Sequence, residues 1–152
     1  MCIRDRVNYD GSRGTDGSLA FTVGAVANGI ALDWGKTLTS GKETHSSAGS
    51  STSRDDSAAT SAGLVAVLQV VDCDSGTPTV TIEQSSDNGS GDAWATVLSF
   101  TAVGYASAPT AERVTVSGAV ERYLRITTTG TFSNLDFVVT TRRGTAQDDV
   151  TL

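Results

Sequence analysis

From Gly63 to Arg142 the sequence is a succession of short segments in which apolar and polar residues alternate, separated by polar turns. A period of two suits a strand whose faces meet different surroundings, and a helix cannot satisfy it. TPTVTIEQ puts Val80 and Ile82 on one face, and AERVTVSG does the same with Val114 and Val116. ERYLRITTT sets Leu124 and Ile126 against Tyr123 and Arg125, and NLDFVVTT points Leu135, Phe137 and Val139 inward. AWATVLSFTAV places Trp94, Leu98 and Phe100 on one face with Thr96 between. GLVAVLQVV is apolar on both faces, the pattern of a central strand covered on both sides. SSDNGSGD is turn chemistry throughout. Strands of this length, spaced by polar turns, predict an all-β chain built as an antiparallel β-sandwich of jelly-roll or immunoglobulin-like type.

Composition supports this reading. Of 152 residues, 16 are Gly and only 6% are aromatic, so the core must be mostly aliphatic. The net charge of −6 argues against an extended nucleic-acid-binding face, which needs clustered Lys and Arg. No apolar run approaches the ~18 residues of a membrane span, and MCIRDR lacks the apolar stretch of a signal peptide. No membrane partner is expected. Cys2 and Cys73 do not make a disulfide framework, and Cys73 reads as a small buried hydrophobe.

The front of the chain reads differently. MCIRDR resembles a translated sequencing adapter, a recurrent start of metagenomic reading frames, so residues 1–6 are expected to be an artefact. DGSLAFTVGAVA alternates through Leu19, Phe21 and Val23; after an Asn28-Gly29 turn, IALDWGKTL resumes through Ile30, Leu32 and Trp34. An N-terminal β-hairpin is expected here, within residues 7–43, as the terminal strands of a truncated β domain. Residues 44–62, THSSAGSSTSRDDSAATSA, hold almost no large apolar side chain. They read as a polar loop or linker and as the domain boundary. The sandwich domain is then 63–143, with a tail at 144–152.

LDWGKTLTSGKETHSS, VTIEQSSDNGSGDAWATV and VERYLRITTTGTFSNLDFVVTTRR together resemble the C-terminal region of tail tube proteins of long-tailed phages. The likeness covers most of the chain from Asn8 to Arg143. It implies a tube-forming β domain that closes with a strand resembling DGSLAFTVGAVA, followed by a β-sandwich decoration domain on the outer surface. It implies a virion location, other copies of the subunit as partners, and surface contacts that extend to cell-surface glycans. The tube-forming core itself is not in this sequence. The order of strand, SDNG turn, tryptophan and strand also occurs in sugar-binding modules. A non-catalytic carbohydrate-binding β-sandwich module is therefore the alternative.

Neither catalysis nor a cofactor is expected. His45 is the only histidine and sits in the polar stretch, where it reads as a solvated loop residue with no partner for a triad or a zinc site. Asp72 and Asp74 at a strand end, and Asp87 and Asp92 in a turn, are the residues that could attract calcium. They are also ordinary turn residues, and turn chemistry is the reading adopted. Trp94 and Trp34 suit sugar stacking or core anchoring, and their alternating positions assign them to the core. Trp94, Tyr123 and Arg125 are the ligand-binding candidates. Arg122, Arg125, Arg142 and Arg143 could form a basic patch, but solvated strand faces and edge protection account for them as well.

Overall fold

The computed structural model describes the backbone of residues 3–13 and 19–27 and all atoms of residues 35–144. The chain divides into two compact units, residues 1–34 and 35–152. In the first, β1 (Ile3–Arg13) pairs antiparallel with β2 (Leu19–Ala27) as a two-stranded sheet. A hairpin is present, but the partner of LAFTVGAVA is the segment before it. Residues 3–6, read as an artefact, lie within β1. Asn28-Gly29 and the Ile30, Leu32 and Trp34 alternation lie outside the described residues.

The second unit is a sandwich of two antiparallel sheets. Its strands are β3 (Lys36–Thr37), β4 (Glu43–His45), β5 (Gly49–Ser50), β6 (Arg54–Asp55) and β7 (Leu64–Gly76). β8 (Thr79–Ser85), β9 (Ala95–Ser99), β10 (Thr110–Val116), β11 (Tyr123–Thr129) and β12 (Phe132–Arg143) follow. The first sheet runs β10-β7-β12, with β3 and β4 sharing the far edge of β12. The second runs β11-β8-β9, with β5 and β6 sharing the far edge of β11. The core between them is aliphatic apart from its Phe residues. Leu64, Leu68, Leu135, Phe137 and Val139 come from the first sheet; Val80, Ile82, Leu98, Leu124 and Ile126 come from the second. The alternating residues of β8, β11 and β12 are buried as their pattern predicts.

Two expectations need correction. β7 is central in its sheet, yet its outer face is not covered along its length, because Gln69 is exposed and Val71 is 50% exposed. Val71 continues the outward row of Gln69 and sits in a β-bulge. Asp136 pairs with Asp72 and Phe137 with Val70, so Val71 is an extra residue with no opposite number.

The second correction concerns residues 44–62, which are neither a linker nor a boundary. Glu43–His45 pair with β12, Gly49–Ser50 and Arg54–Asp55 pair with β11, and Thr60 bridges to Val120. Backbone pairing orders this stretch where apolar burial could not. The segment runs along the edge of one sheet and then along the edge of the other.

Within that stretch stands Asp56. Its side chain is 5% exposed. Arg54 grips it twice, Nε to Oδ1 and Nη2 to Oδ2, both at 2.8 Å, and Arg143 Nε donates to Oδ2 at 2.8 Å. From there the guanidiniums reach in opposite directions. Arg54, on the second sheet, donates to the Thr37 carbonyl at 2.9 Å and the Thr141 hydroxyl at 2.8 Å on the first. Arg143, on the first sheet, donates to the carbonyls of Val120, Glu121 and Arg122 before β11. Burial alone would raise the Asp56 pKa, but the two guanidiniums outweigh it and the carboxyl is held below its usual range.

One glycine shows how tightly the strand ends approach. Gly76 has φ +86°, and a Cβ there would lie 2.0 Å from the Thr131 carbonyl oxygen. No other residue fits at that corner.

Removing the Asp56 carboxylate should strand two half-buried guanidiniums. Asp56→Ala is expected to cost about 3–5 kcal/mol, the range for breaking a buried ion pair from one side. Urea denaturation of the full chain measures it, and a loss below about 1 kcal/mol would deny the clasp its role.

Candidate functional site

The outward face of the second sheet gathers the residues singled out for ligand binding. Tyr123 and Arg125 alternate with buried Leu124 and Ile126 on β11, so both point outward. Arg125 lies opposite Glu83 on β8, and its Nε donates to Glu83 Oε2 at 2.7 Å. The Thr127 hydroxyl donates to the same oxygen at 2.8 Å. One row away, hydroxyls line up across the sheet. Ser50 meets Thr127 at 3.0 Å and Thr81 meets Ser99 at 3.4 Å.

Trp94 joins this face, which corrects its assignment to the core. Ile82 pairs with Leu98 but Glu83 pairs with Thr96, so Val97 is an extra residue in β9. Such a bulge exchanges the two faces of everything before it. Leu98 and Phe100 stay buried, while Trp94 is half-buried and packs against Arg125, whose guanidinium carbon is 4.4 Å from the ring centroid. The indole also rests on the backbone of Gly89, where a Cβ would lie 2.4 Å from Trp94 Nε1. Tyr123 repeats the arrangement. The Arg122 guanidinium carbon lies 4.9 Å from its ring centroid, and Arg122 donates to both oxygens of Asp55 at 2.7 and 2.6 Å. Each ring thus carries a guanidinium, and each guanidinium is tied to a carboxylate. The face offers fixed polar groups at its surface, with its two aromatic rings already stacked upon.

The same pairings account for the basic residues. Arg122, Arg125 and Arg143 each meet a carboxylate. Their charge is spent within the fold, and no run of them forms a basic surface.

The four aspartates fall in two pairs, Asp72 and Asp74 near the end of β7 and Asp87 and Asp92 in the β8–β9 turn. Asp87 accepts the backbone N–H groups of Ser90, Gly91 and Asp92, which closes the β8–β9 turn around its carboxylate. Burial raises its pKa and these donors overcome the effect, leaving it lowered. Asp92 accepts from the Ser86 N–H at 2.7 Å, and that bond lowers its pKa as well. Buried Ser85 ties the turn from below, accepting from Gly89 N–H at 2.8 Å and donating to the Asp92 carbonyl at 2.9 Å. Asp72 accepts from the Cys73 N–H and Asp74 from the Asn134 amide. Among the described residues no group of three or more His, Cys, Asp or Glu is arranged to hold a metal. Cys73 is buried and free, and burial pushes its thiol pKa up.

His45 is not the solvated residue expected from its surroundings. Its side chain is 11% exposed and its ring meets Phe137 edge-on, centroids 5.1 Å apart. Nδ1 lies 2.7 Å from the Thr128 hydroxyl, and Nε2 lies 3.0 Å from Glu43 and 3.2 Å from Ser51. Serine, histidine and carboxylate therefore meet, but without the geometry of a nucleophile relay. Ser51 and Glu43 share one ring nitrogen, and the serine hydroxyl donates to the carboxylate. The ring links β4 on the first sheet to β11 on the second. Sequence reasoning missed it because its burial comes from Phe137 and Thr128, which are far away in the chain.

No family model matches the sequence, and no curated protein does. Among solved structures the chain is similar to the carbohydrate binding module CBM6cm-2 from Cellvibrio mixtus lichenase 5A in complex with cellotriose. Identity is 13%, the TM-score is 0.34, and the match covers 93% of this chain and 92% of that one. So loose a superposition carries no argument about function.

Two outcomes follow from the site geometry. Trp94→Ala should cost about 1–2 kcal/mol, the worth of a cation–π stack and partial burial; denaturation in a Trp34→Phe background measures it. A cost of about 3–5 kcal/mol would return the indole to the core.

The second outcome concerns acid. Arg122, and then the Ser57 N–H, hold the Asp55 carboxyl at about 2 against an ordinary 3.8. A carboxyl lowered on folding stabilises the fold above its unfolded value and ceases to do so as pH falls through the folded one. The melting temperature should drop between pH 3.8 and about 2, and Asp55→Asn should shrink that drop. An unchanged profile in the variant would refute the pairing.

Proposed function

We propose that the chain is a structural component of a phage virion, the C-terminal part of a tail tube subunit that carries an exposed β-sandwich. What carries this reading is the division of the chain between residues 34 and 35, just after the strand LAFTVGAVA. Before it stands a two-stranded sheet; after it stands a sandwich with a complete core of its own. A two-stranded sheet alone is marginal in water. Its edges, unpaired among the described residues, suit further strands of a larger β assembly. The sequence resemblance supplies that assembly: a tube-forming domain that closes on such a strand, with the sandwich beyond it.

In this reading the partners are other copies of the subunit, and the role is mechanical. The net charge of −6 fits a wall past which DNA slides without adhering. The sandwich is the part that meets the surroundings, cell-surface glycans among them. The alternative, a carbohydrate-binding module detached from an enzyme, shares only that last contact.

Extending the reading frame upstream decides between them. A tube-forming β domain directly before Val7, with tail genes as neighbours, is the expected result. A glycosidase domain in the same frame would overturn the tail reading.

A further inference from the structure

A hollow of about 310 Å³ opens between the edge of β10 and the segment that follows β9. Its floor is apolar, formed by Leu68 and Val103, which are 1% and 6% exposed. Its walls carry the hydroxyls of Thr101, Ser107 and Thr110 and the carboxylate of Glu112. Glu112 accepts the Thr101 N–H at 2.8 Å on one oxygen and the Thr101 hydroxyl at 2.9 Å on the other. Those bonds fix the carboxylate in place and leave each oxygen capacity for another donor. Tyr105 opens the single 3-10 turn that Ser107 closes, and it is 60% exposed, the most open large hydrophobic among the described residues. Unlike Trp94 and Tyr123, it carries no guanidinium stack among the described contacts.

We propose that this hollow binds one neutral sugar unit at the end of a glycan chain. The inference deepens the glycan contact proposed for the sandwich and rests on that reading. The volume sits at the lower end of ligand sites, enough for one ring rather than a chain. An apolar floor suits the C–H face of a sugar. A fixed carboxylate with neighbouring hydroxyls suits adjacent sugar hydroxyls, which donate and accept from one edge. Glu112 also selects by charge: an anionic sugar would bring a second carboxylate beside it, and like charges repel.

The test is a titration of the ¹⁵N-labelled full chain with methyl glycosides of glucose, galactose, mannose and N-acetylglucosamine, and with glucuronate. Ligand at about 10 mM reaches sites with a Kd near 1 mM. At least one neutral glycoside should shift the amide signals of residues 101–103, 105–107 and 110–112, and glucuronate should not. Glu112→Gln should weaken that binding and admit glucuronate. No shift with any neutral glycoside overturns the inference. Shifts centred on Trp94, Tyr123 and Arg125 overturn the site but keep the glycan reading. The tail reading is decided separately, by the upstream frame.

Discussion

The sandwich is held shut by one carboxylate. Asp56 is almost wholly buried, and it organises two arginines that start on different sheets and each end on the other. An isolated buried charge would be costly, and two unsatisfied guanidiniums more so. Together the three are mutually neutralising to within one charge. Their remaining N–H groups are taken up by carbonyls and a hydroxyl that lie where the sheets converge. The core supplies the attraction between the layers, which has no direction of its own. The clasp supplies direction, because a bidentate guanidinium accepts only one geometry.

Much of this could be read from alternation. Val80 and Ile82, Leu124 and Ile126, and Leu135, Phe137 and Val139 lie where a period of two puts them. What alternation cannot show is a residue added to a strand. Val71 and Val97 each shift the count by one. The first returns Cys73 to the interior, and the second carries Trp94 from the predicted interior to the open face. The polar stretch failed for a different reason. Apolar content measures what burial can order, and residues 44–62 are ordered by backbone pairing to β11 and β12 instead.

The candidate ligand residues were legible as a group and not in their role. Tyr123 and Arg125 belong to one alternating strand, so their shared face could be read directly. Trp94 joined them only through the bulge. Nothing in the sequence announces that Arg125 and Arg122 cover the two rings, because their anchors, Glu83 and Asp55, come from other strands. The hollow beside β10 was invisible for the same reason. Leu68, Val103 and Glu112 are brought together by pairing and packing, and no motif spans them.

The short strands along one side have a further consequence. β3 and β4 occupy the outer edge of β12, and β5 and β6 occupy that of β11. The outermost strands on that side are only two or three residues long, whereas β10 and β9, on the opposite side, present edges of seven and five. A sandwich open on two sides can add copies without end, as a growing fibre does. One open on a single side is consumed by its first partner. Crowded at high local density, these domains have one side suited to edge pairing and one poorly suited to it, so any longer order among them has to be dictated from elsewhere.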